Sequence, residues 1–390
     1  MASTSSLRPG LVWLMAAATG ISVASNYYAQ PLLHTIAQDL GLSFGAVGLV
    51  VTVAQVGYTV GLVFLLPLGD MLERRGMIFL MTLVCAAGLL GAALSTGLGT
   101  LLASVAMAGM FSVVAQVLVP FAATLAAPEE RGRVVGTVMS GLLLGILLAR
   151  TVSGALAETG SWRAVYWFAA ASMVILAFVL RRALPRHSPE ASGLSYPQLL
   201  RSIVTLLAQE PVLRLRALLG AVIFANFSLL WTSIAFLLAG PPYNYSDVTI
   251  GLFGLAGAAG ALAASRVGRL ADRGHGNLAT LVGLAVLTAS WLPMLLARDS
   301  LAALLAGILL LDLAAQVVHI SNQSAIYRLR PEARNRINAG YMTCYLSGGA
   351  VGSLLSAQAY QHAGWTGVGV AGLAIGAVGL AAWLRRPAGS

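Results

Sequence analysis

Apolar residues fill this 390-residue chain in long blocks, separated by short breaks rich in Arg, Gly and Pro. Twelve blocks reach the length of about 20 residues that a helix needs to cross a bilayer: 11–36, 45–68, 77–95, 99–126, 134–157, 163–181, 214–239, 248–270, 277–296, 300–326, 337–360 and 364–384. None shows the strict alternation over about 10 residues that marks a barrel strand. The pattern predicts an all-α membrane protein with twelve transmembrane helices. The first block is too long for a signal-peptide core and no small-residue cleavage site follows it, so it reads as the first span.

The breaks carry the charge. With both termini in the cytoplasm, 20 of the 23 arginines fall on cytoplasmic ends or loops, while Arg163 and Arg298 fall outside and Arg150 lies within a span. Positive charge marks the cytoplasmic side, so the orientation and the count support each other. The longest break, 182–213, holds four prolines and the stretch YPQLLRSIVTLLAQE, which predicts a short amphipathic helix on the cytoplasmic surface. The domain organisation is therefore a six-helix bundle over 1–181, a cytoplasmic linker over 182–213 and a second six-helix bundle over 214–390.

Composition agrees: 58% of residues are hydrophobic and 9% charged, against about 25% charged in a soluble domain. Every basic residue is Arg. Without Lys there is no P-loop and no Schiff base. Cys85 and Cys344 sit singly in apolar blocks, and no Cys/His cluster has metal-ligand spacing. No metal or other cofactor is expected, and no enzyme motif is present. The net charge of +10 reflects topology and not affinity for nucleic acid.

The two halves repeat. PEERGRVVGTVMSGLLLG from Pro128 and PEARNRINAGYMTCYLSGG from Pro331 share Pro, Glu, two Arg, Met and Gly at a constant offset of 203. The breaks after the second and eighth blocks, PLGDMLERRG and VGRLADRGHG, each set an Asp beside arginines: Asp70 with Arg74 and Arg75, Asp272 with Arg269 and Arg273. Duplicated six-helix halves predict a transporter that alternates access around a central site.

At these residues the chain resembles the major facilitator superfamily over its whole length. The second-half loop matches the start of that family's loop motif at Gly268, Asp272 and Arg273; the first half keeps Asp70 and Arg74 but has Leu66 and Glu73 where the motif has glycines. The form P-L-G-D-x-L-E-R-R is similar to that of bacterial drug:proton antiporters and arabinose efflux permeases. The resemblance implies that Asp70, Arg74, Arg75, Asp272 and Arg273 belong to gating loops, and that the first helix of each three-helix unit lines the cavity. Two departures stand out: the fourth block has no Arg, and Ile146 follows Gly145 where a Pro is expected. The proton-coupling residues usual in such antiporters are thus missing here.

The blocks expected to line a cavity are the polar ones. The tenth carries Asp312, Gln316, His319 and Gln323 on one helix face. The first carries Asn26, Tyr27 and Gln30, with Pro31 offering a kink. Gln116 on the fourth, and Asn226 and Trp231 on the seventh, complete the expected substrate cavity.

Asp312 is the only acid inside a predicted span, and Arg150 the only arginine deep in one. An isolated Arg at mid-membrane costs about 2.5 kcal/mol or more. Three accounts of Arg150 compete: a charge pair with Asp312, contact with substrate or cavity water, and outward snorkelling. Desolvation favours a protonated carboxyl and a nearby guanidinium an ionised one, so Asp312 reads either as a proton carrier or as a fixed counter-charge, with His319 as a second proton stop. The expected function is proton-coupled efflux of a small organic molecule by a monomer in the bacterial inner membrane, its partners being substrate, protons and lipid. The alternative is uptake or exchange of an organic anion held by Arg150.

Overall fold

The computed structural model describes residues 8–127, 130–158, 161–188, 195–270, 276–326, 328–330 and 334–386. Among them the chain is helical throughout. In order the helices are α1 (Pro9–Ala24), α2 (Leu33–Leu40), α3 (Phe44–Phe64), α4 (Arg74–Ala93), α5 (Leu98–Ser112), α6 (Val114–Leu125), α7 (Arg131–Ala157), α8 (Trp162–Ala183), α9 (Tyr196–Gln209), α10 (Pro211–Ala239), α11 (Asp247–Leu270), α12 (Gly276–Ala289), α13 (Trp291–Leu295), α14 (Leu301–Ile326) and α15 (Arg334–Leu384). Helix is what an apolar chain must adopt in lipid, because no water is present to satisfy open backbone groups. Nine helical stretches among the described residues are long and apolar enough to cross a membrane, and Pro9–Ala24 and Asp247–Gly257 are shorter apolar helices.

Local sequence sets the ends. Ser43 accepts from the Ala46 N–H, Ser161 from the Arg163 N–H, and Glu73 from the N–H groups of Arg75 and Gly76, each satisfying donors that a helix start leaves open. Gly41 closes α2 in the left-handed region at φ 62°. Gly364, at φ 57°, breaks α15 in two where the hydrophobic pattern predicts a boundary. Between α1 and α2 the helix opens into a turn and a 3-10 segment, Gln30–Leu32, at Pro31, which has no N–H to donate. The amphipathic linker helix forms as α9, with Ser195 and Gln198 in a capping box and Leu199, Ile203 and Leu206 buried.

Two hydrophobic clusters account for most of the buried apolar residues. One draws almost entirely on residues 12–184; the other runs from Leu219 to Trp383. Corresponding helix pairs in each cluster approach closely through glycine. A Cβ on Gly141 or Gly145 of α7 would overlap the carbonyl oxygens of Ala16 and Gly20 on α1, and one on Gly348 or Gly352 of α15 would overlap those of Ala221 and Ala225 on α10. Gly145 and Gly348 are equivalent in the sequence repeat, so the repeat is also a repeat of packing.

Two seams join the halves at the end of the bundle opposite α9. Gly154 of α7 packs on the Asp247 carbonyl of α11, and Gly251 of α11 packs on the Arg150 carbonyl of α7. Thr52 of α3 bonds Ser353 of α15 at 2.8 Å, while Phe44, Phe236 and Tyr360 cluster with ring centroids 4.8–5.5 Å apart. Thr35 of α2 donates to Asp247 at 2.6 Å. At the other end α9 touches both halves: the Tyr196 hydroxyl donates to the Phe64 carbonyl, and Ile203 and Leu207 pack beside Gly340.

Candidate functional site

A cavity of about 990 Å³ lies between the halves. Its inner wall is formed by Arg150 of α7 and Asp312 of α14, together with Asn26 and Tyr27 from the break after α1. From there it runs toward the α9 end, where Arg74, Arg131, Leu199, Ile203 and Arg336 line it. The seams close the opposite end.

Of the residues that the sequence assigns to a cavity, Asn26, Tyr27, Gln116, Gln316, His319 and Gln323 line it. Asn26 donates to the Ser112 hydroxyl at 2.7 Å and Gln116 to the Tyr58 hydroxyl at 3.1 Å, so both are oriented by neighbours. His319 bonds the Tyr341 hydroxyl through Nδ1 at 2.9 Å, and its ring lies 4.8 Å from that of Tyr345. The structure places the other three behind the wall. Asn226 is fully buried, accepting from the Trp291 indole at 2.8 Å and donating to the Val222 carbonyl. Gln30 and Trp231 stand against Arg150.

Arg150 is 2% exposed. Its Nε donates to Gln30 Oε1 at 2.8 Å and its Nη1 to the Ile146 carbonyl at 3.4 Å. The guanidinium carbon lies 4.1 Å from the Trp231 ring centroid, 5.2 Å from Tyr27 and 5.3 Å from Phe227. Aromatic faces thus supply the negative potential that lipid and protein core do not. This corrects two expectations. Arg150 does not snorkel, because Gln30 and the aromatic rings hold it inward. It also makes no direct ion pair with Asp312, although the two charges lie close enough to interact, because neutral partners from the 3-10 segment after α1 and from α10 occupy its Nε and its face.

Asp312 is 4% exposed. Its Oδ2 and the Trp231 edge both press on the bare Cα of Gly257, where any Cβ would collide with them. Three buried polar atoms here make no hydrogen bond of ordinary geometry, Arg150 Nη2, Asp312 Oδ1 and Trp231 Nε1, although the Trp231 indole lies close enough to the Asp312 carboxylate to interact with it. A buried polar group without a partner costs about 1–3 kcal/mol, more if charged. This arrangement can take up a proton or bind a polar ligand; the set of donors does not suit a metal, and no group of His, Cys, Asp and Glu able to hold one occurs among the described residues.

At the α9 end, Asp70 closes a 3-10 turn, Leu66–Asp70; Asp272 and Arg273 lie outside the described residues. Arg74 donates to the Gly69 carbonyl and the Thr124 hydroxyl, each at 3.0 Å, and lies 5.7 Å over the Phe121 ring. Arg75 reaches the Leu184 carbonyl. Burial opposes ionisation of Glu73, but N–H groups of Gly76, Arg75 and His187 outweigh it and hold the carboxyl below the usual range. The first-half loop is thus tied to the start of the linker.

Sequence reasoning missed much of the aromatic wall, namely Tyr58, Phe224, Phe227 and Tyr345. It also missed Gly257, whose lack of a side chain makes room for Asp312 and Trp231. Aromatic residues in apolar blocks carry no distinguishing signal, since lipid-facing and cavity-facing rings look alike.

Comparison with known proteins places this architecture. Residues 15–324 and 267–390 match the sequence profile of the Major Facilitator Superfamily. The chain is 57% identical over 379 residues to the putative uncharacterized transporter YgaY of Escherichia coli (strain K12), covering 97% of this chain and 96% of that one. It is 35% identical to the probable transporter SCO4007 of Streptomyces coelicolor, over 96% and 87% of the two chains, and 26% identical to a chloramphenicol resistance protein of Streptomyces lividans, over 90% and 89%. The fold superposes with a TM-score of 0.77 on the inward-facing, occupied crystal structure of a bacterial homolog of the human lysosomal transporter Spinster, at 12% identity over 96% of each chain. The chain belongs to the major facilitator superfamily and is a transport protein, not an enzyme.

Proposed function

We propose that this protein is a twelve-span secondary transporter of the bacterial inner membrane. Both termini lie in the cytoplasm, and residues 1–181 and 214–390 form two halves that rock about the central cavity. It exports a small organic molecule in exchange for protons, acting as a monomer. The arginine distribution puts α9 on the cytoplasmic side, so the structure represents the inward-open state, with its outer end sealed by α7 against α11 and α3 against α15.

One observation carries the coupling: the only acid inside a predicted span, Asp312, sits on the cavity wall with one carboxylate oxygen unpartnered. A proton bound there in one state and released in the other would link the gradient to the rocking. The relative named for chloramphenicol resistance supports export and suggests a probe. In proteoliposomes with an imposed pH gradient, wild-type protein should move chloramphenicol against its concentration. Asp312→Asn should lose the response to the gradient while still equilibrating the compound. An unchanged gradient response in Asp312→Asn would exclude this residue as the carrier.

The unpartnered Nη2 of Arg150 favours a second reading, exchange of an organic anion against that guanidinium. Arg150→Lys keeps the charge but loses the planar fork, so it should impair carboxylate transport and spare neutral compounds.

A further inference from the structure

We propose that the cavity binds zwitterions more tightly than neutral or singly charged ligands: molecules that set an anionic group on Arg150 and an ammonium on Asp312, with an apolar ring between them. The proposal rests on reading the cavity as the transport site and names its substrate class.

The geometry carries it. Arg150 and Asp312 line the same wall of one cavity, are opposite in charge and at least 96% buried, yet make no ion pair. Direct pairing would relieve the cost of burying each. Packing holds them apart instead. Gln30 fixes the Arg150 Nε. Trp231 lays its face on the guanidinium, and its edge shares the Gly257 niche with the Asp312 carboxylate. Each charge keeps one buried atom without a hydrogen-bond partner, a donor on Arg150 Nη2 and an acceptor on Asp312 Oδ1, which a ligand meets once either side chain turns into the cavity it lines.

A simple anion would satisfy Arg150 and leave the carboxylate unmet; a simple cation would do the reverse. A molecule bearing both groups, spaced wider than a direct ion pair, satisfies both at once. Tyr58, Phe224, Phe227 and Tyr345 offer ring faces to its body. The charged and titratable groups nearest Asp312 from packed elements are Arg150, Tyr345 and, beyond Arg150, Tyr27. None of these is a second acid, so a proton and the ligand's ammonium compete for one carboxylate, and occupancy by one excludes the other.

The test is equilibrium binding to the full-length protein in nanodiscs, without any gradient, using three matched probes: para-(aminomethyl)benzoate, para-toluate and para-methylbenzylamine. The zwitterion should bind at least about tenfold more tightly than either singly charged analogue, the size expected for one added charged hydrogen bond. Asp312→Asn should bring the zwitterion down to the level of para-toluate while leaving para-toluate unchanged. Arg150→Gln should bring it down to the level of the amine. Near-native elution and tryptophan fluorescence of each variant show that the fold persists.

Para-toluate binding wild-type protein as tightly as the zwitterion would overturn the proposal. So would an unchanged zwitterion affinity in Asp312→Asn, or no measurable zwitterion binding. Because no gradient is applied, the result is independent of coupling. A positive binding pattern with an intact gradient response in Asp312→Asn would uphold the zwitterion site and reject proton carriage by Asp312, and the opposite pair of results would do the reverse.

Discussion

Two arginines are almost equally buried, Arg150 at 2% exposure and Arg216 at 4%, yet their surroundings differ in kind. Arg216, near the start of α10, spends both terminal nitrogens on neutral side chains of its own half: Nη1 donates to Thr280 and Asn322, and Nη2 to Asn277. Its guanidinium carbon lies 4.6 Å over the Trp383 ring. Arg150 is gripped at Nε by Gln30 in the 3-10 segment after α1 and stacked from α10, across the line between the halves, and one terminal nitrogen is left without a partner. Arg216 cross-links α10 to α12 and α14. Arg150 sits between the halves that we propose move apart, with bonding capacity in reserve. Burial alone does not separate the two arginines; unfinished hydrogen bonding at the boundary between the halves does.

The largest effect should come from breaking the satisfied member. Arg216→Met strands the acceptors of Asn277, Thr280 and Asn322, and should cost about 3–5 kcal/mol, since each hydrogen bond to a charged group contributes about 1.5–3 kcal/mol. A drop of many degrees in thermal unfolding in detergent would show it. Arg150→Met should cost much less, about 1 kcal/mol, since Gln30 Oε1 loses one donor while an incompletely bonded cation is removed. Equal destabilisation by the two variants would collapse the distinction.

A third variant tests whether Arg150 lies on a moving seam. Thr35→Val removes the bond to Asp247, which joins the halves at the sealed end. A loss of about 1 kcal/mol should favour the outward-open state about fivefold. Faster alkylation of a Cys placed at His34 would report it, whereas no such change is expected for Thr280→Val, beside Arg216.

The smallest effect belongs to a charge pair at the surface. Arg163 and Trp162 both bond Asp39, at 2.6 and 3.0 Å, and hold its carboxyl below the usual Asp range. A carboxyl with a lowered folded-state pKa adds stability above its unfolded value and loses it as pH falls through the folded value. Asp39→Asn should therefore destabilise slightly at neutral pH, by less than about 1 kcal/mol because the pair is exposed, and the difference from wild type should vanish in strong acid. Unfolding midpoints at a series of pH values measure it.

The sequence by itself determined whatever depends on neighbours along the chain. Block length and hydropathy dictate the helices, because in lipid each backbone must bond within its own segment. Ser43, Gly41 and Gly364 punctuate them, Pro31 opens the break after α1, and the apolar residues recurring every three to four positions in 196–209 predict α9. The offset of 203 announces the duplicated packing at Gly145 and Gly348. Asp312 and Arg150 were visible as charges in apolar surroundings, the rarest signal a membrane sequence carries.

Tertiary structure alone decided what those charges meet. Nothing local tells that Gln30, 120 residues away, holds Arg150 in place of Asp312. The seventh block, where Asn226 and Trp231 read as cavity residues, gives no hint that Asn226 turns to Trp291 and away from the cavity. Arg216 reads in sequence as one more cytoplasmic arginine, indistinguishable from Arg214 two residues earlier. The physical reason is the same in each case. A helix's rotation about its own axis, and hence the partner each side chain finds, is set by how glycine-lined faces such as Gly141–Gly145 and Gly251 let distant helices close upon one another.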